Sequence, residues 1–250
     1  MIISGKARKR HGLFHGLAIY LVIECVPFLF RLTWHSANSV DRWGVPPLLS
    51  GLAVELFPAY AEFFAVSSDP VQHFAHALGM LVSMAIAIVS SRALLGERIT
   101  RGQVEFSIAI WVVAGVAIAA LIPPVINGMN SIFQAQQSAL DLSSAPWPVL
   151  AVGFLSAVII APVAEEIIFR GFLANLFLKS YSGWICAVAT SVLFTLSHGF
   201  TIFSPGRATA LFAAGILLFA ARLKFKGVGA PILIHFAANF AVFVLLPGNR

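Results

Sequence analysis

Seven residues in the second half of the chain have the types and spacing that chemistry needs. They are Glu165, Glu166 and Arg170 in EEIIFR, Phe194 and His198 in FTLSH, and His235 and Asn239 in HFAAN. On a helix Glu166 and Arg170 fall at i and i+4 with the acid first, the favourable order for a side-chain ion pair. Glu165 is rotated about 100° from its neighbour at 3.6 residues per turn, so it does not share that pairing and is left to face a cavity. A carboxylate, two imidazoles, an amide and a buttressing ion pair make a hydrolytic set. The carboxylate takes a proton from water, one imidazole orients that water, and the other imidazole and the amide stabilise an oxyanion.

All three groups lie in apolar runs, where a charge near the bilayer centre costs roughly 2.5 to 3.5 kcal/mol even on a lenient insertion scale. The whole chain is of that kind. Its residues are 59% hydrophobic and 10% charged, against about 25% charged in an ordinary soluble domain, and its mean hydropathy is +0.91. Such a composition dictates an all-α, polytopic transmembrane helix bundle and leaves no room for a second, soluble domain.

The elements that must position the site follow from the apolar runs. At roughly 20 residues per span, runs at 13–31, 73–92, 104–126, 148–178, 184–203, 207–222 and 228–246 predict seven spans. An eighth is added if 48–66 also crosses, but that segment carries Glu55, Pro58 and Glu62 and reads as an interfacial or re-entrant helix. The basic start and the long apolar run from Leu13 to Phe30, with no small-residue cleavage site, predict a retained first span rather than a signal peptide.

A net charge of +6 would suggest nucleic acid in a soluble protein. Here the basic residues cluster between apolar runs and act as topology signals, so no nucleic-acid partner is expected. With seven crossings and a cytoplasmic N-terminus, Lys6, Arg8, Lys9, Arg10, Arg92, Arg98, Arg101, Lys179, Arg222, Lys224 and Lys226 lie inside, eleven of sixteen basic residues. That bias favours seven spans and an inner, plasma-membrane location with the bilayer as partner. Trp34, Trp147 and Trp184 fall at span ends, as interfacial aromatics do. Cys25 and Cys186 both sit in apolar runs, which predicts small buried hydrophobes rather than a disulfide or a thiolate metal site.

The polar linker 127–148 divides the chain. Residues 1–147 supply transmembrane helices without an assignable motif, and 148–246 form a helical core that holds the chemistry. Glu165 lies 16 residues before Tyr181 and His198 lies 17 after it, so an antiparallel hairpin brings them to matched depth, about 25 Å from the turn at 1.5 Å per residue. His235 lies only about 10 Å into its span, so the hairpin must project roughly 10 Å beyond it for the groups to meet. Pro162, one turn before the acid pair, loosens the helix and widens the space beside it.

In order, EExxxR, FxxxH and HxxxN, here Glu165 to Arg170, Phe194 to His198 and His235 to Asn239, resemble the CPBP family of intramembrane proteases. That family includes the type II CAAX prenyl endopeptidases and bacterial proteins linked to bacteriocin processing or self-immunity. The resemblance implies that Glu165 is the general base, working with His198 on the attacking water. It implies that His235 and Asn239 form the oxyanion site, and that Glu166, Arg170 and Phe194 support it. The expected substrate is a membrane-anchored peptide or a prenylated or hydrophobic protein. No cofactor is favoured, since HExxH is absent and an amide at 239 suits an oxyanion donor. The metal-dependent alternative is zinc held by Glu165, His198 and His235 with an open fourth position.

Plainer readings stand beside these. The acid pair and Arg170 taken alone would be a structural ion network, single histidines would be helix-packing groups, and Asn239 would be interhelical glue. His73 and His76 read as interfacial polar residues before a metal pair. Glu24 either lines the cavity or pairs with Arg31. At the level of function, a proton-coupled transporter and a catalytically idle immunity or scaffold protein of the same family are the alternatives.

Overall fold

The computed structural model describes residues 13–26, 70–127, 147–198 and 205–242. The segment 48–66, residues 128–146 of the linker, Arg31 and Trp34 lie outside the described residues.

Every regular element among the described residues is helical, as the apolar periods require. In chain order these are α1 (Leu13–Val26), α2 (Pro70–Ser90), α3 (Ile108–Asn127), α4 (147–178), α5 (Gly183–Ser197), α6 (Pro205–Lys224) and α7 (Gly229–Phe240). Each coincides with one of the seven apolar runs. Three stretches, His76–Leu95, Leu150–Leu178 and Pro205–Lys224, are long and apolar enough to cross a bilayer, and the apolar stretches Leu13–Val26, Ile108–Pro123, Gly183–Ser197 and Gly229–Phe240 are shorter. The protein is an integral membrane protein built as a helical bundle. Leu21, Val22, Ile110, Val113 and Leu121 point outward, which suits a surface facing lipid tails as apolar as they are.

Helix α6 packs between α3 and α5, α7 packs on α3 and α6, and α2 lies along α4. Small residues set the closest approaches, as in other membrane bundles. A Cβ on Gly215 of α6 would stand 2.7 Å from the Ser191 Cβ of α5, and one on Gly115 of α3 would stand 2.7 Å from Ile234 of α7.

Helix α4 is interrupted twice by wider, π-type turns, at Leu155–Ile160 and at Ile167–Leu173, with the short α segment Ala161–Glu166 between them. Pro162 accounts for the first: it has no N–H to give the carbonyl four residues back, so the ladder is displaced there. The acid pair therefore sits between two widened turns, a feature frequent at functional sites.

The start of α7 is clamped by the segment after α2. Val228 N–H donates to the Thr100 carbonyl at 3.0 Å and Gly229 N–H to that of Arg101 at 2.8 Å, which satisfies donors that a helix N-terminus leaves open. Gly102 lies at φ +74, and a Cβ there would be 2.3 Å from the Phe225 carbonyl oxygen, so only glycine fits. This clamp fixes where α7 begins, and so where His235 and Asn239 stand.

Arg222, near the end of α6, donates from Nε to the Arg170 carbonyl and from Nη2 to Asn175 Oδ1, which ties α6 to the widened stretch of α4.

Candidate active site

The α segment between the two widened turns of α4 aims two adjacent carboxylates in different directions. Glu166 and Arg170 are both fully buried, and Arg170 Nη1 donates to Glu166 Oε1 at 3.0 Å, the i to i+4 pair read from the spacing. Burying one member alone would leave an uncompensated charge, whereas the pair with further hydrogen bonds is tolerated. Two of those further contacts come from other helices. Arg170 Nη2 donates to the Gly215 carbonyl at 3.2 Å, and the guanidinium carbon lies 4.5 Å from the centre of the Phe194 ring. The close approach at Gly215 is what brings its carbonyl within reach.

Glu166 Oε1 also accepts from Nδ1 of His235 at 2.9 Å. On α5, Nδ1 of His198 lies 2.7 Å from the Phe194 carbonyl. A carbonyl only accepts, and a carboxylate paired with arginine accepts as well, so both imidazoles carry a proton on Nδ1. Both then present Nε2 to the same atom. Nε2 of His198 is 3.9 Å and Nε2 of His235 is 3.8 Å from Glu165 Oε2. That oxygen is buried and makes no hydrogen bond among the described residues.

The structure thus brings Glu165, His198 and His235 to one point from α4, α5 and α7, at the depth match counted from the hairpin. Phe194 is their common packing partner. Its ring meets Phe169 at 5.2 Å, His198 at 4.7 Å and His235 at 5.8 Å between centres, each near edge-on. Asn239 lies one turn beyond His235, and its Nδ2 donates to the Ala157 carbonyl at 2.9 Å. One of the two amide hydrogens is thereby used to tie α7 to the widened 155–160 turn, and the second is available to a neighbour.

By donor type, two imidazole nitrogens and a carboxylate oxygen suit zinc. Among the described residues, however, no group of three or more His, Cys, Asp or Glu is placed to hold a metal ion. No step below is routed through a metal.

Several participants carry no signal in the spacing. Arg222 donates to the Arg170 carbonyl from 52 residues away and to Asn175 from 47, and Tyr20 of α1 packs edge-on against Phe169 at 5.9 Å. A polar side chain in an apolar run was the only available hint for Asn175 and Arg222.

Comparison with known proteins adds a family. Residues 146–241 match the family model described as type II CAAX prenyl endopeptidase Rce1-like, in agreement with the resemblance carried by the three motifs. A stretch of 94 residues is 32% identical to an uncharacterised 24.3 kDa protein of Escherichia coli, covering 37% of this chain and 43% of that relative. No solved structure matches the chain.

Proposed function

We propose that the chain, whose residues 146–241 match the Rce1-like type II CAAX prenyl endopeptidases, hydrolyses a peptide bond in a membrane-associated substrate by activating water without a metal. The observation that carries this reading is the convergence of Nε2 of His198 and His235 on a buried oxygen of Glu165 that makes no hydrogen bond among the described residues. A water held there attacks the scissile carbonyl carbon and gives one proton to Glu165. His198 orients the water through Nε2.

The tetrahedral oxyanion is then met by His235 and Asn239. With a second proton on Nε2, His235 donates to Glu166 on one side and to the oxyanion on the other, while Asn239 contributes its second amide hydrogen. The C–N bond breaks as Glu165 returns its proton to the leaving amine, and the new carboxylic acid gives the water's second proton to solvent and leaves as a carboxylate. Glu166 and Arg170 take no proton and hold His235 in place. The substrate is a membrane-anchored peptide or a prenylated or hydrophobic protein, and the basic bias of the loops supports a plasma-membrane location with a cytoplasmic N-terminus.

The test is purified protein in liposomes with two probes, an internally quenched peptide bearing a farnesylated cysteine three residues from its C-terminus and the same peptide unprenylated. Cleavage by wild type, lost in Glu165→Gln and in His198→Ala, supports the reading. Equal cleavage by these variants overturns the mechanism. Substrate-driven flux without cleavage would move the protein to the transporter class, and a cellular phenotype untouched by Glu165→Gln would mark an idle scaffold.

A further inference from the structure

Helix α1 lies outside residues 146–241, yet its buried face runs along the motif helix. A Cβ on Gly16 would come within 2.4 Å of Leu176, and one turn later Tyr20 meets Phe169 with ring centres 5.9 Å apart. As numbers rise along α1 they fall along α4, so the two helices are antiparallel. Phe169 in turn touches Phe194 of α5 at 5.2 Å, which places α4 between α1 and α5 and makes a row Tyr20, Phe169, Phe194.

One helical turn along each of these three helices gives a second row. Four residues on from Tyr20 is Glu24, four back from Phe169 is Glu165, and four on from Phe194 is His198. Side chains four apart on a helix share a face, so the polar row repeats the aromatic one. One half of it is measured: Glu165 Oε2 is 3.9 Å from His198 Nε2. The other half has independent support, because Glu24 and Glu165 lie close enough to interact electrostatically.

Glu24 is also held in place. The Tyr20 side chain, one turn earlier on α1, interacts with its carboxylate, and the preceding residue is pinned to α2, where the Ser83 hydroxyl donates to the Ile23 carbonyl at 2.8 Å. Glu165 therefore lies between a fixed carboxylate on the α1 side and two imidazoles on the α5 and α7 sides. When Glu24 is ionised the two carboxylates repel strongly where water is scarce, and Glu165 Oε2 has no hydrogen bond among the described residues to orient it.

We propose that Glu24, held by Tyr20, is a positioning residue that turns the Glu165 carboxylate toward His198 and His235, so that the active site extends into the first helix. The idea rests on the endopeptidase reading for its consequence and on the helix register for its geometry, and the two are tested separately.

For the geometry, Glu24→Cys and Glu165→Cys are combined in a Cys25→Ala, Cys186→Ala background and treated in membranes with a short bifunctional methanethiosulfonate. Expected is cross-linking, read as loss of maleimide–polyethylene glycol labelling, with none for Ala18→Cys and Glu165→Cys, since Ala18 is on the exposed face of α1. Absence of cross-linking in the first pair overturns the proposal whatever the enzyme does. For the consequence, the farnesylated quenched peptide is cleaved by Glu24→Gln with kcat lowered about tenfold to a hundredfold and KM unchanged, and Glu24→Asp restores part of kcat. Wild-type kcat in Glu24→Gln, or a change confined to KM, overturns it. If wild type leaves the peptide intact, the endopeptidase reading falls, and the cross-link alone decides whether Glu24 faces Glu165.

Discussion

Glu165 and Glu166 are adjacent in the chain and opposite in circumstance. Glu166 is wholly buried, and its Oε1 accepts from Arg170 and from His235. Glu165 is partly open, with an oxygen that faces two imidazoles at 3.8 and 3.9 Å and bonds to neither. One step along the helix separates a carboxylate held by Arg170 and His235 through Oε1, its Oε2 buried and unbonded, from one whose buried Oε2 faces two imidazoles and bonds to neither. The held carboxylate gives rigidity and the other is left to react, and the second depends on the first because His235 faces both.

The largest expected effect comes from the reactive face. Glu165→Gln keeps the size of the side chain and removes the base, so turnover of the quenched peptide falls by about 10²–10⁴, the usual contribution of general base catalysis. Thermal unfolding in detergent stays close to that of wild type. A Glu165→Gln protein that unfolds early would blur the contrast between the two carboxylates.

The buttress face behaves in reverse. Arg170→Met strips Glu166 of its partner and leaves a buried charge alone, which costs about 3–5 kcal/mol. It is read as a sharp fall in folded yield and melting temperature, with activity lost as a consequence. Adding Glu166→Leu to Arg170→Met removes the stranded charge and recovers much of that stability without recovering cleavage, since His235 then lacks its anchor. If the double variant is as unstable as the single one, the pair does more than neutralise itself.

Phe194 tests the point where the faces join. Phe194→Leu loses the contact with the Arg170 guanidinium and the edge contacts with both imidazoles. A cation–π contact of this desolvated kind is worth about 2 kcal/mol, so a modest loss of stability is expected together with a drop in kcat. A loss of stability alone would confine Phe194 to the buttress.

Much of this contrast was legible in the sequence because it is local. The i to i+4 spacing gave the Glu166–Arg170 pair, the 100° offset separated Glu165 from it, and counting residues about Tyr181 matched Glu165 with His198. What could not be read depends on the register between helices far apart in sequence. Gly215 meets Arg170 because a missing side chain lets α6 close on α5, and His235 joins Glu166 because the clamp at Thr100 and Arg101 sets the start of α7. Nothing in the periodicity of either helix encodes such a meeting. The widened turns flanking the acid pair were half legible: Pro162 announced the first, and no residue in Ile167–Leu173 announces the second.

The smallest expected effect sharpens the chemistry at Glu165 itself. Water activation by a carboxylate and two imidazoles has no need of an exchangeable ion, so incubation with 1,10-phenanthroline, followed by its removal, should leave turnover unchanged. The outcome discriminates because a zinc site would use the same three atoms, each at about 2.0–2.2 Å from the ion. At tetrahedral angles such bonds set ligand atoms about 3.3–3.6 Å apart, a few tenths of an ångström inside the present Nε2 to Oε2 separations of 3.8 and 3.9 Å. Loss of activity with chelator and its return with added zinc would make Glu165 a ligand rather than a base. The contrast with Glu166 would then be between a carboxylate that holds a metal and one that orients its histidine ligand, as the outer partners of metal-bound histidines commonly do.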